Sequence, residues 1–120
     1  MASFSEVLQS VAGRVPEIQV VMIMGTDGIP IEKLVVKQSA NMEAVAAEYT
    51  TLLRATLSSA NGTGLGQLLE LSIITEKMTA LLVGITPEYF LFAALQPGAL
   101  LGRARYALRE AGIGLQREFA

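Results

Sequence analysis

The chain has 120 residues, 52% apolar and only 17% charged, with a net charge of −2. That length supports one domain hiding roughly two thirds of its unfolded surface, and the lack of a basic excess argues against a nucleic-acid binder. Without cysteine or histidine, the chain has no disulfide, no thiolate or imidazole metal ligand and no histidine general base, so neither a cofactor nor a metal nor catalysis of its own is expected.

Ser3 and Glu6 form a capping box at the start of a short helix carrying Phe4, Val7, Leu8, Val11 and Ala12, which Gly13 and Pro16 end. Residues 18–24 read as a strand apolar on both faces. Thr26-Asp27-Gly28 makes a turn and 29–37 a second, antiparallel strand. Pro30, Glu32, Lys33 and Lys37 suit a sheet edge, where missing donors and charges are tolerated. Ser39 or Asn41 caps a long helix over 41–60, stopped by Asn61-Gly62-Thr63-Gly64. Residues 65–75 read as a strand with Leu69, Leu71 and Ile73 on one face. Further strands follow at 78–85 and 89–95, joined around Pro87-Glu88. Pro97-Gly98 leads into a helix over 99–111 closed by Gly112, with Leu101, Ala104, Leu108 and Ala111 inward. A tail, 113–120, completes the chain.

Strands apolar on both faces need cover on both sides. The expected fold is therefore a single three-layer α/β (α+β) domain: a five-stranded antiparallel sheet with helices on both faces, in the order α-β-β-α-β-β-β-α. Residues 78–102 are very apolar, but Pro87 and Pro97-Gly98 would break a spanning helix twice. The first fifteen residues lack the pattern of a signal peptide. A cytoplasmic protein with no membrane insertion is expected, in which the Asn61-Gly62-Thr63 sequon has no role.

The long helix carries the functional signal. Met42, Val45, Tyr49, Leu52, Leu53, Thr56 and Leu57 form an apolar face at helical spacing. Opposite them lie Ala44, Ala47, Thr51, Ala55 and Ser58, flanked by Glu43, Glu48 and Arg54. A solvated helix normally turns Lys and Glu outward; a strip of small residues lets a second helix approach closely. The plain alternative is a surface helix rich in Ala and Thr. Elsewhere, Gly62-Thr63-Gly64-Leu65-Gly66 follows a helix instead of a strand and lacks the Lys-Ser/Thr pair of a phosphate loop, so it reads as a helix stop. Arg103, Arg105 and Arg109 either form a solvated face near a helix C-terminus or contact an acidic partner or phosphate.

The order of elements, Met24-Gly25-Thr26-Asp27-Gly28-Ile29-Pro30-Ile31 at the first hairpin, and above all Leu100-Leu101-Gly102-Arg103-Ala104-Arg105-Tyr106-Ala107-Leu108-Arg109-Glu110-Ala111 resemble the roadblock family, over roughly residues 4–112. That family often carries Asn where Leu100 stands and an acidic residue near Gly25. The resemblance implies a profilin-like domain and a homodimer or heterodimer built by the long helix and the following strand, with one sheet running across two chains. The interface would use Ala44, Ala47, Thr51, Ala55 and Ser58 with Leu69, Leu71 and Ile73. It also implies a platform or activator for a small Ras-like GTPase, docked on Glu43, Ala47, Glu48, Thr50 and Arg54 of paired helices. Activators of such GTPases often donate an arginine, and Arg54 is the only arginine on that helix. A profilin-like domain sensing a small molecule is the alternative; it needs a pocket with convergent polar groups.

Overall fold

A computed structural model describes residues 3–37 and 41–119. Helix α1 (Phe4–Arg14) is followed by β1 (Ile18–Gly25), β2 (Pro30–Val35), α2 (Met42–Gly62), β3 (Glu70–Ile74), β4 (Thr79–Thr86), β5 (Tyr89–Leu95) and α3 (Leu101–Gln116). The strands form one antiparallel sheet in the order β2-β1-β5-β4-β3. β2 therefore lies at one edge, as its proline and charges suggest, and β3 at the other. None of the described helices is long and apolar enough to cross a membrane.

The three central strands are buried on both faces, and their alternation sorts side chains into two cores. Val21, Ile23, Leu81, Val83, Leu91 and Ala93 face α1 and α3, where Leu8, Val11, Ala104 and Leu108 cover them. Val20, Met22, Leu82, Phe90 and Phe92 face α2, where Met42, Ala46 and Leu53 cover them. Small residues on α3 let that helix approach the sheet closely: Gly112 sits where a Cβ would meet the Gly84 carbonyl at 3.4 Å. The α2 core is filled instead with Met and Phe, which hold that helix further off.

Local chemistry explains the ends of the elements. The Ser3 N–H donates to Glu6 Oε1 at 3.0 Å and the Glu6 N–H to Ser3 Oγ at 3.2 Å, completing the capping box. The backbone bond from Ser3, then its hydroxyl, hold the Glu6 carboxyl below the usual carboxylate range. Its contribution is present above the ordinary range and is lost as pH falls through the lowered value. At the first hairpin, Gly28 takes φ +88° and Asp27 Oδ1 accepts the Ile29 N–H at 3.0 Å. Asn41 caps α2 by accepting the Ala44 N–H at 3.2 Å; Ser39, the other candidate cap, lies outside the described residues.

Several expected boundaries shift. β2 is shorter than 29–37, because the N–H groups of Val36 and Lys37 both turn onto the Gln19 carbonyl. β3 begins at Glu70, not 65, since Gly64 and Gly66 adopt φ +73° and +87°, which no regular strand accommodates. α2 runs to Gly62. α3 does not stop at Gly112: it continues to Gln116, and Gly112 serves close packing instead of termination. Leu115 is thereby buried, and Phe119 stacks between Phe4 and Tyr89 at centroid distances of 5.3 and 4.1 Å. Leu100 occupies the N-cap of α3 and makes no side-chain cap bond.

Two glycines should respond in opposite directions. A Cβ on Gly84 would sit 3.2 Å from the Leu68 backbone carbonyl, whereas one on Gly114, inside α3, would meet nothing within 4 Å. Gly84→Ala should lower stability by about 1 kcal/mol through overpacking, and Gly114→Ala should raise it by about 0.5–1 kcal/mol. Thermal melts of the two variants beside the parent check this; shifts of the same sign would refute it.

Candidate functional site

Helix α2 lies across one face of the sheet with two flanks that differ chemically. On the β2 side, Lys33 pairs with Glu43, and Arg54 Nη1 donates to the Thr26 carbonyl at 2.6 Å, tying the helix to the first hairpin. On the β3 side, Val45, Tyr49, Leu71 and Ile73 are only partly buried against the core. Between the flanks, Ala44, Ala47, Thr51, Ala55 and Ser58 are all exposed. The small-residue strip thus lies outward on the described surface.

Not every residue sits where helical spacing alone puts it. Thr50, expected on the outer docking flank, is fully buried, with its hydroxyl donating to the Ala46 carbonyl at 2.7 Å. A threonine satisfied by its own helix can face a core. Leu52, expected on the inner face, is 49% exposed. It projects from the β3-side flank, because the inward arc is narrower than its apolar residues suggest. Leu69 precedes β3 and is also exposed, although its carbonyl accepts the Gly84 N–H at 3.0 Å. Glu43, Ala47, Glu48 and Arg54 are exposed as expected.

The β3 edge is fixed from behind. Glu70 opens the strand with a carboxylate side chain only 14% exposed. It accepts two bonds from Arg105 Nε, at 2.7 and 2.9 Å, and two from Arg109, at 3.2 and 3.3 Å. Two of the three clustered arginines of α3 are therefore engaged in bracing an edge strand. Arg103 lies further round the helix. Ile74, at the other end of β3, is exposed. Leu52 extends the candidate surface beyond the interface residues expected, whereas Ile74 shares its face of β3 with Glu70, on the α3 side of the sheet. A leucine at the limit of the inward arc was the available signal.

Among the described residues no group of three or more acidic side chains converges as a metal site. Exposed apolar and small residues beside an unpaired strand edge offer packing and main-chain hydrogen bonding to another protein.

No protein-family model matches the chain, and no curated protein sequence does. Solved structures do. MglC from Myxococcus xanthus is 29% identical, with 98% of this chain and 99% of that chain covered and a TM-score of 0.70. A roadblock/LC7 domain from Streptomyces avermitilis superposes at a TM-score of 0.84 over 98% of each chain, with 12% identity. MglB in a tetrameric arrangement gives a TM-score of 0.82 at 16% identity, over 94% of this chain and 85% of that one.

The brace on β3 can be tested. Glu70→Gln should cost about 1 kcal/mol, because both arginines are partly exposed and the pairs are screened. Most of the difference should vanish in 1 M salt. Chemical denaturation with urea at low and high salt measures it; a loss independent of salt would assign Glu70 a packing role instead.

Proposed function

Because the chain has the roadblock fold, we propose that it is a non-catalytic, dimeric interaction module that binds or regulates a small Ras-like GTPase in the cytoplasm. The observation that carries this reading is the outward strip: the small residues of α2 and Leu52 are exposed, and β3 ends the sheet with no strand beyond it among the described residues. Two copies related by a twofold axis could extend the sheet through β3 and bring their α2 helices side by side. Leu71 and Ile73, half-covered by α2, would then be sealed. The tetrameric arrangement of MglB supports self-association as a habit of this fold.

On such a dimer, Glu43, Ala47, Glu48 and Arg54 of each chain would border the docking surface. Arg54 is a poor donor to a partner's nucleotide, since the Thr26 carbonyl already holds its guanidinium. Any acceleration of GTP hydrolysis would come from repositioning the GTPase's own residues. Glu48 makes no ion pair among the described residues, so its charge is available for steering.

Two predictions follow the two halves of the proposal. Light scattering at micromolar concentration should give a dimer mass, and Ala47→Glu with Thr51→Arg should yield monomer or precipitate; a monomeric parent would sink dimerisation. For docking, a Ras-like GTPase should bind in the ratio of one to two protomers. Rim charges act mainly on association rate, so Glu48→Arg should slow capture by about ten-fold at low salt. Arg103→Glu, on the α3 layer, should leave it intact. Stopped-flow association rates decide the matter: loss on Arg103→Glu with none on Glu48→Arg would move the docking surface to the opposite layer.

A further inference from the structure

A cleft of about 240 Å³ opens at one end of the sheet, where the last turns of α2, residues 67–69, the β4–β5 turn and the end of α3 converge. Leu57, Leu68 and Phe90 contribute apolar walls, and Asn61 of α2, Gln67 of the following loop and Gln116 of α3 also line it. None of its lining residues carries a charge. Gly84 lies on its floor, where a Cβ would press on the Leu68 carbonyl at 3.2 Å. The segment that builds this wall is shaped by the positive-φ glycines 64 and 66, and it turns Leu69 toward solvent instead of filling the space.

We propose that this cleft is a binding site for a small uncharged molecule, an apolar body about the size of one ring that carries an amide-like edge. Each element of the lining restricts the ligand. Leu57 and Leu68, partly exposed above the buried ring of Phe90, gain free energy when an apolar body covers them. A buried ionic group would find no counter-charge in the lining and would lose its hydration. A carboxamide offers both donors and an acceptor, so three of them match a neutral group that itself donates and accepts. The volume lies just below the usual range for drug-sized ligands, which sets the ring-sized limit. The lining comes from one chain, and one of its residues, Leu69, also belongs to the expected dimer interface.

The isosteric pair phenylacetamide and phenylacetate tests the proposal on the full-length ¹⁵N-labelled protein. Phenylacetamide should shift the Gly66, Gly84 and Gln116 amide resonances saturably, and phenylacetate should bind at least about ten-fold more weakly. Leu57→Trp should fill the cleft and abolish the shifts. Gln67→Ala, an exposed change with little risk to folding, should weaken phenylacetamide by about five-fold. Absence of saturable shifts at Gly84 and Gly66, equal binding of the acid, or unchanged affinity in Gln67→Ala would each overturn the site.

Discussion

Burial of β1, β4 and β5 on both faces governs the architecture. A strand such as Val20–Met24 has no side to spare for water: Val21 and Ile23 face one way, Val20, Met22 and Met24 the other, and all are buried. Each face removes apolar surface worth roughly 25 cal/mol per Å², so both need a helical layer. The chain supplies α1 and α3 for one and α2 alone for the other. Two helices cover most of their face. A single helix covers less, and its incomplete cover leaves Leu71, Ile73 and Leu52 partly or largely open along the β3 side.

The asymmetry between the layers also appears in side-chain size. α3 approaches the sheet through Ala104, Ala107 and Gly112, the last of them against the Gly84 carbonyl. α2 stands off on Met42, Leu53, Phe90 and Phe92. The cleft beneath the end of α2 arises where the wide layer runs out of large side chains near Gly84. One glycine therefore serves two demands: close passage of the 68–69 backbone and an open floor.

Element order, the antiparallel sheet and the outward strip on α2 were legible in the sequence because each rests on periodicity, which side-chain burial imposes directly. Boundaries set by backbone conformation were less legible. Gly112 reads as a helix stop, yet glycine also permits close packing, and only the neighbouring Gly84 carbonyl distinguishes the two uses. The segment 65–69 has the composition of a strand, but Gly64 and Gly66 carry positive φ, a property no pattern of apolar residues reports. Thr50 illustrates a third limit. Its polarity suggests exposure, but its hydroxyl bonds within its own helix and the residue lies in the core. The arginines of α3 read as a solvated face or a partner site; two of them instead hold Glu70, a contact between residues 35 and 39 apart in sequence.

The stacking of Phe119 on Phe4 and Tyr89 joins the last turn of the chain to its first helix. Both ends of the described chain therefore leave from one corner, on the α1 and α3 side of the sheet and away from the outer face of α2. A short linker could close that gap, so the fold is topologically near-circular. Any domain or tag joined at either end would occupy the same corner and leave the strip of α2 and the β3 edge unobstructed. New ends could instead be opened at residues 63–66, a surface segment whose cutting would separate no strand from its partner.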